Sequence, residues 1–253
     1  PWNVTLVSAE YSVDRLKIGE YRYIPKAGEK LLVLHYKVHN PRSYEQTMRF
    51  DTHAFTVVDP KDNNWQGIGE VGNEETKERV ESQMKPAQKM GVYTAIVVPA
   101  SGEMPKLMVQ SSDQLVLRYD LRGKVKGLPA PYADPEDKTG ATALEKVSAQ
   151  MGAYYPLDHF DVKLDSASYT TDKLGDSELE EGNRYLVLNL TAKNGQATAT
   201  LMRFDTFRAK LADADGAEVE WNGQMLQGSR NTSLEQELES KQEMKFRFFY
   251  SVP

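Results

Sequence analysis

Three of the four histidines, His35, His39 and His53, lie in the first quarter of the chain and could together bind a metal ion. A metal site needs its donor atoms within about 2.1 Å of one ion. His35 and His39 fall on the same face of a predicted strand, but the rise of a strand separates them by about 13 Å. We therefore predict histidines that are solvated or bonded locally, and no metal site.

Two Asp-rich segments, 59–64 and 213–216, invite a calcium interpretation, and the glycine-rich segment 67–72 resembles a dinucleotide-binding loop. A calcium loop of the EF-hand type needs a bidentate Glu at its twelfth position. A dinucleotide loop needs a strand before it and a helix after it. Neither context is present, so the sequence predicts polar hairpin turns and no cofactor.

Residue types that support catalysis are missing or scattered. The chain has no cysteine, which excludes disulfides, thiolate metal sites and a cysteine nucleophile. No Ser-His-Asp set and no pair of carboxylates stands out at a spacing typical of acid–base chemistry. The sequence therefore predicts a protein that is not an enzyme.

Trp65 and Trp221 follow two similar turns and are the candidate ligand contacts. Exposed aromatic rings at the loops of a sheet can hold sugars or peptides. A tryptophan after a hairpin can equally cap a hydrophobic core, with its N–H at the wet end. We favour the core interpretation and keep ligand contact as the alternative.

The composition of the chain limits the classes of partner that it is expected to bind. At 253 residues the chain can hold two domains, and its 37 acidic and 31 basic residues give a formal net charge of −6. Clustered Lys and Arg are absent, so nucleic acid is not an expected partner. No apolar run reaches the roughly 18 residues of a membrane span. The chain begins at Pro1 and is expected to be a mature or trimmed product.

The pentapeptide MRFDT occurs twice, at 48–52 and at 202–206. A shift of 154 positions aligns residues 28–59 with residues 182–213 without a gap, and 11 of the 32 positions are identical. Both stretches alternate apolar and polar residues with a period of two, which is typical of strands. The sequence predicts a duplicated domain and an all-β fold made of two tandem immunoglobulin-like β-sandwiches.

The MRFDT segment is interpreted as a structural corner. The alternation of apolar residues changes phase at Asp51-Thr52, which indicates a bend where these side chains bond neighbouring amides. Arg49 and Asp51 are two residues apart and can pair on the outer face. The residues of this repeated signature are Asn40, Arg49, Phe50 and Asp51 in the first copy, and Asn194, Arg203, Phe204 and Asp205 in the second.

The predicted domains are residues 1–122 and 159–253. Between them, the proline-containing segment 123–158 is predicted to be a linker, with a stretch compatible with a short helix at 141–151. In the first domain, the residues PKLMVQ and DQLVLRYDL after Pro99 are expected to form the closing strand. The second domain reaches only Pro253, the position that matches Pro99. Its closing strand is expected beside 246–250, either from residues beyond Pro253 or by strand exchange with another chain or the linker.

A family resemblance rests on two motifs. Gly182–Asn194 reads Gly-x-x-Tyr-Leu-Val-Leu-x-Leu-Thr-x-x-Asn, and a later strand ends in Asp-Ala-Asp-Gly. Together they resemble the telokin-like immunoglobulin-like domains of bacterial lipoproteins and secreted proteins, a family of unknown function. Met84–Lys89 resembles the Leu-x-Pro-Gly-Glu segment of that family, with Ala87 in place of the usual Gly.

The resemblance implies an extracytoplasmic, non-enzymatic module of the cell envelope that binds a protein or acts as a spacer. Two alternatives remain open at this point. One is a proteinase-inhibitor-like module that works through exposed loops. The other is a carbohydrate-binding accessory module, which requires Trp65 or Trp221 to be exposed on the surface.

Overall fold

A computed structural model describes residues 2–111, 115–221 and 223–253. Over these residues the protein is all-β and contains no helix, so the short helix at 141–151 is a wrong prediction. The chain divides into two compact units, Pro1–Ser148 and Ala149–Pro253.

The first unit is built on two sheets. Its larger sheet has the strand order β13-β1-β4-β10-β8, its second sheet has the order β12-β11-β6-β7, and two short pairs, β2-β3 and β5-β9, complete it. The strands are β1 (Asn3–Ser12), β2 (Leu16–Ile18), β3 (Tyr21–Tyr23), β4 (Glu29–His39), β5 (Gln46–Arg49), β6 (His53–Val58), β7 (Asn64–Gln66), β8 (Gly72–Asn73), β9 (Glu81–Met84), β10 (Lys89–Pro99), β11 (Lys106–Ser111), β12 (Val116–Asp120) and β13 (Val125–Lys126).

The second unit has one large sheet of order β14-β15-β16-β22-β20, with the short pairs β17-β21 and β18-β19 beside it. The strands are β14 (Tyr155–Leu157), β15 (Phe160–Thr170), β16 (Arg184–Asn194), β17 (Thr200–Arg203), β18 (Leu211–Ala212), β19 (Glu218–Val219), β20 (Met225–Gln227), β21 (Glu235–Leu238) and β22 (Glu243–Val252).

The central strands β4 and β16 have matching neighbours. β4 lies between β1 and β10, and β16 lies between β15 and β22, all antiparallel. A bulge interrupts the first pair between Leu6 and Ser8, and a bulge interrupts the second between Leu164 and Ser166. Directly opposed residues of antiparallel strands share a face of the sheet. We call the face that carries Leu32, Leu34 and Tyr36 in β4 the inner face of the first unit. The matching face of β16, which carries Leu186, Leu188 and Leu190, is the inner face of the second unit.

In the first unit the alternation of β4 leads to burial on both faces. Leu32, Leu34 and Tyr36 are buried between the sheets. Leu31 and Val33, on the opposite face, form a smaller cluster with Ala95. The sequence predicts burial of one face only, whereas the structure covers the second face as well.

The segment predicted as a linker, 123–158, is not a free connector. Val125 and Lys126 pair in parallel with Ala9 and Glu10 of β1. Ala141 and its neighbours Leu128 and Ala143 are buried in the core of the first unit. Residues through Ser148 therefore belong to the first unit, and Tyr155–Leu157 pairs with β15 in the second. Leu128, Ala141 and Ala143 do not follow an alternating pattern in the sequence, so the sequence did not indicate that this segment packs on the first unit.

The residues after Pro99 form two strands, and neither lies beside β10. β11 pairs with β6, and β12 pairs with β11, while Asp113 and Gln114 of the predicted closing segment lie outside the described residues. In the second unit, β20 pairs with Phe246–Phe248 of β22. A strand of the same unit thus occupies the edge beside residues 246–248, and the strand exchange expected at this edge stays a prediction.

Burial in β16 differs from expectation. The alternation predicts apolar positions facing the core and polar positions facing solvent. Leu34 and Tyr36 are buried accordingly, but Leu188 and Leu190 at the matching positions are only half-buried. Thr191, a polar position of β16, is buried, and its hydroxyl donates to the Asp165 carboxylate over 2.6 Å.

Candidate functional site

The two MRFDT segments form the same corner. Met48 and Met202 are fully buried. The backbone N–H of Arg49 donates to the Thr52 hydroxyl over 2.9 Å. The N–H of Arg203 donates to the Thr206 hydroxyl over 2.7 Å in the same way. These contacts hold the backbone of each corner in place.

The charged pair at each corner is solvated. Arg49 Nε lies 3.4 Å from the Asp51 carboxylate, and Arg203 Nε lies 3.7 Å from the Asp205 carboxylate. About half of each of these side chains is exposed, so each pair contributes about 0–1 kcal/mol. Phe50 is half-buried under the Arg79 guanidinium, whereas Phe204 is exposed.

The two asparagines of the repeated signature are buried and fully used. The Asn40 side-chain amide donates to the carbonyls of Tyr44 and Met84, both over 2.9 Å. The Asn194 amide donates to the carbonyls of Thr198 and Leu238, over 2.9 and 2.8 Å. A buried amide with these partners fixes the corner where each central strand ends, so its role is structural.

The two candidate ligand contacts, Trp65 and Trp221, are half-buried. Trp65 packs on the core of the first unit, where it stands opposite Val57. Trp221 packs on the core of the second unit, with its ring edge-on to Phe248 at 5.4 Å. Neither ring has the full exposure that carbohydrate binding requires of it.

His53 is a buried histidine of the first unit that lies beside a cavity. Its side chain is buried, with 6% of the residue exposed, and neither ring nitrogen has a hydrogen-bond partner. Burial lowers the pKa of His53 to about 4, so the imidazole is neutral at pH 7. It lines a cavity of about 190 Å³ with Phe50, Phe55 and Thr94. The second unit carries Phe207 at this position.

The other histidines bond to polar neighbours. His35 contacts Glu74 and lies 3.7 Å from the Glu10 carboxylate. His39 bonds the Asn3 amide over 3.2 Å. Over residues 2–111, 115–221 and 223–253, no group of three or more His, Asp or Glu side chains is arranged to hold a metal ion.

A buried lysine of the first unit has an exposed counterpart in the second. Lys30 is fully buried, and its ammonium donates to the carbonyls of Ala100, Gly102 and Ala141. It lies 4.4 Å from the centre of the Tyr11 ring. Burial lowers the pKa of Lys30 to about 8, and it raises the pKa of Tyr11 to about 12.

The matching pair in the second unit, Arg184 and Tyr169, has a similar distance between cation and ring but is exposed to solvent. The guanidinium lies 4.2 Å from the centre of the Tyr169 ring. Tyr169 is 57% exposed, whereas Tyr11 is 4% exposed. Of the three carbonyls that bind Lys30, two lie just after Pro99 and one lies at residue 141. No described residue of the second unit matches this stretch.

Half-buried apolar residues continue from Tyr169 along the inner face of the second unit. The register places Tyr169 opposite Leu186 and Ala167 opposite Leu188. Leu186, Leu188 and Leu190 are half-buried, whereas their counterparts Leu32, Leu34 and Tyr36 are buried. We call Tyr169, Ala167, Leu186, Leu188 and Leu190 the open face. It is the candidate functional site.

Sequence reasoning missed this surface because it treated the two units as equivalent. A signal was present: Lys30 and Arg184 have the same parity as the inward leucines, so each cation points to the inner face. A cation at an inward position needs acceptors. Those of Lys30 are carbonyls of residues 100–141, for which the second unit offers no described counterpart.

Comparisons with known proteins place the chain in no described family. No family model matches it, and neither does any curated protein. Among solved structures, an uncharacterized β-sandwich protein from Clostridium difficile is similar, with 14% sequence identity and a TM-score of 0.37. The match covers 47% of this chain and 85% of that protein. No helix in the described residues has the length and apolarity to cross a membrane.

Proposed function

We propose that the chain is a tandem of two immunoglobulin-like modules of the telokin-like kind, which binds a protein partner without catalysis. The matching neighbours of β4 and β16, with a bulge at the same place in each unit, support the tandem arrangement. The side-chain amides of Asn40 and Asn194 also make equivalent hydrogen bonds within their own units, which supports the tandem arrangement further.

The open face carries the binding part of this proposal. A soluble domain buries the apolar face of its sheet against a second layer, and a contiguous apolar patch that stays exposed marks an interaction site. Tyr169 offers a large, rigid side chain with a polar end, which is the type of residue enriched at the centres of protein interfaces. A protein surface that contributes apolar side chains would pack against Tyr169 and Leu186.

The environment of the histidines supports a role without catalysis. A nucleophile needs a base within hydrogen-bond reach. In the described part of the chain, His35 bonds to carboxylates, His39 bonds to an amide, and the ring nitrogens of His53 have no partner. His159 lies 3.7 Å from the Asp158 carboxylate.

The proposed location is extracytoplasmic, in the cell envelope or the secreted fraction, and it rests on the family resemblance alone. Fractionation of cells that express the complete gene tests it. The proposal expects the protein in the envelope or the medium. Recovery in the cytoplasm alone would refute it.

Site-specific photo-crosslinking tests the binding role. A photo-reactive amino acid replaces Tyr169 in one variant and Tyr44 in the matched control. Tyr44 is also 57% exposed but belongs to the first unit and is not part of the open face. Each variant is irradiated with an envelope extract, and crosslinked products are identified by mass spectrometry.

We expect protein adducts at position 169 that are absent at position 44. Equal adducts at the two positions would mean that exposure alone causes crosslinking, and would contradict the proposal. A variant that gives no protein adduct at position 169 would leave the structural spacer as the better description.

A further inference from the structure

The cavity beside His53 has walls that differ from the matching place in the second unit. Three of its lining residues are smaller or more polar than their counterparts at the shift of 154 positions. These pairs are His53 and Phe207, Gly67 and Trp221, and Thr94 and Phe248. The strand registers agree with this matching: Thr94 stands opposite Leu34, as Phe248 stands opposite Leu188. The pair β6-β7 matches the pair β18-β19 at the same shift.

In the second unit, three aromatic rings occupy these positions. Phe207 and Phe248 are buried, and Trp221 packs edge-on against Phe248 at 5.4 Å. All three belong to one hydrophobic cluster. In the first unit, Phe55 stands in place of Ala209 and fills part of the volume that the smaller side chains free. A cavity of about 190 Å³ is left.

The apolar walls of the cavity are formed by Phe50, Phe55 and Val71. The Arg79 guanidinium lies 3.3 Å from the centre of the Phe50 ring and also bonds the Glu70 carboxylate, so the position of this ring is fixed. A cavity of about 150 Å³ with apolar walls takes up benzene. The cavity beside His53 therefore has room for one aromatic ring with a small substituent.

The charged residues that line the cavity are already paired. The Asp51 carboxylate lies 3.4 Å from Arg49 Nε, and the Glu70 carboxylate lies 2.5 Å from Arg79 Nε. The buried His53 side chain is neutral at pH 7. A charged ligand would lose its hydration without meeting an unpaired opposite charge. The cavity therefore suits an uncharged ligand.

Hydrogen bonding distinguishes His53 from the other polar residues of the lining. The Thr94 hydroxyl donates to the Glu70 carbonyl over 2.6 Å, and the Gln66 side-chain oxygen accepts from the Thr56 hydroxyl over 3.1 Å. In the described part of the chain, neither ring nitrogen of His53 has a partner. A neutral imidazole has one nitrogen that donates and one that accepts, and burying such a group without partners is unfavourable.

We propose that this cavity binds a phenol with a single ring. The ring packs against Phe50 and Phe55, and the hydroxyl donates a hydrogen bond to the unprotonated nitrogen of His53. Both nitrogens are covered by protein, so the imidazole turns about its Cβ–Cγ bond when the phenol binds. This site goes beyond the proposed protein binding at the open face, because it lies in the other unit.

Three fluorinated probes test the proposal by ¹⁹F NMR with the full chain. They are 4-fluorophenol, fluorobenzene, which lacks the hydroxyl, and 4-fluorobenzoate, which carries a negative charge. We expect 4-fluorophenol to bind about tenfold more tightly than fluorobenzene, because it alone can bond to the buried acceptor. We expect no binding of 4-fluorobenzoate, since its charge would have to be desolvated.

Two variants and a matched control locate the site. His53→Phe introduces the side chain of the second unit and should abolish binding of 4-fluorophenol. Ala54 is exposed and lines the cavity, so Ala54→Trp should abolish binding by covering the opening without altering the core. His39 is a half-buried histidine of the same unit that does not line the cavity, and His39→Phe should bind 4-fluorophenol as tightly as the unmodified chain.

Amide chemical shifts supply a second measurement of position and confirm that each variant is folded. Binding of 4-fluorophenol should move the amide signals of His53, Gly67 and Thr94. The signals of their counterparts Phe207 and Phe248 should not move. Competition with the peptide acetyl-Gly-Tyr-Gly-amide then identifies the source of the phenol: displacement indicates a tyrosine of a protein, and no displacement indicates a free small molecule.

Equal binding of the three probes, or no binding of 4-fluorophenol, would overturn the proposal. Unchanged binding to His53→Phe or to Ala54→Trp would also overturn it, and the second variant decides if the first does not fold. None of these results bears on the open face, because crosslinking at Tyr169 reports on the second unit. The two proposals therefore stand or fall separately.

Discussion

The central strand of the first unit and that of the second have matching partners on both sides but different surroundings on the inner face. In β4 the inner side chains Leu32, Leu34 and Tyr36 are buried in a core to which β6 and the strands and loops after Pro99 both contribute. In β16 the corresponding side chains are half-buried, and Tyr169 next to them is exposed. A shared local pattern therefore determines which strands pair, while burial depends on a layer that is distant in sequence.

The net charge also differs between the two units. The first unit contains 20 basic and 20 acidic residues, so the net charge of −6 lies entirely in the second unit. The unit with the covered inner face is neutral, and the unit with the open face is acidic. A net charge away from zero helps to keep a molecule with exposed apolar surface in solution.

The largest effect is expected when the matching leucines of the two units, Leu34 and Leu188, are each replaced by alanine. Leu34→Ala should lower the free energy of unfolding of the first unit by about 2–5 kcal/mol, because it leaves a cavity in a closed core. Leu188→Ala should cost the second unit roughly 1–2 kcal/mol, since part of that side chain is already in water. Native-state hydrogen exchange at β4 and β16 measures both values. Equal losses would show that the open face is covered in solution.

Mild acid should weaken the first unit through His53. The pKa of His53 is about 4 in the folded chain against an unperturbed value near 6.5, so the unfolded chain binds the extra proton between these values. The contribution to stability is complete above pH about 6.5 and is lost as the pH falls to about 4, a change of about 3 kcal/mol.

The second unit suggests a matched control for this pH dependence, because it has a phenylalanine at the position of His53. His53→Phe copies the residue at position 207 and should remove this pH dependence from the first unit. Urea unfolding across this pH range, followed at segments of each unit by hydrogen exchange, provides the measurement. A variant as acid-sensitive as the parent would mean that another group carries the effect.

Relief of backbone strain should stabilise the two units alike. Ala87 and Lys241 occupy matching positions and both have positive φ, 62° and 65°. Side chains other than Gly are disfavoured there by roughly 1–2 kcal/mol, and glycine loses part of this gain through its greater freedom in the unfolded chain. Ala87→Gly and Lys241→Gly should each raise the stability of their own unit by about 1 kcal/mol, measured by denaturant unfolding. A gain in only one unit would show that the two turns differ.

The smallest effect is expected at the MRFDT corners. Arg49→Ala and Arg203→Ala each remove an ion pair whose side chains are about half exposed. The expected loss is about 0.5 kcal/mol or less in each unit, and differential scanning calorimetry can resolve it. A loss above about 2 kcal/mol at either arginine would show that the corner depends on that charge.

The strands of this fold were predictable because their signals are local. The alternation in 32–38 and 186–192 indicates β4 and β16, and the Asp59 and Asp213 turns follow from side chains that bond amides two and four residues ahead. The docking of residues 123–148 was not predictable. Val125, Leu128 and Ala141 are separated by loops, and no periodicity marks them as core residues.

The candidate site was less accessible to sequence reasoning than the fold. Trp65 and Trp221 attract attention by residue type, but packing places them against the cores. The open face consists of ordinary strand residues that differ from their counterparts in the first unit only in being less completely buried. Exposure of this kind is a property of the tertiary structure, so a pattern within β15 or β16 cannot reveal it.

The parallel pairing of β13 with β1 has a consequence for synthesis on the ribosome. Ala9 leaves the ribosome more than a hundred residues before its partner Val125, and the carbonyl of Ala141 must also reach Lys30. Closing so long a loop is slow compared with forming hairpins. While it is being synthesised, β1 must therefore keep one edge unpaired until Val125 has left the tunnel, an interval of roughly six to twenty-five seconds at common elongation rates.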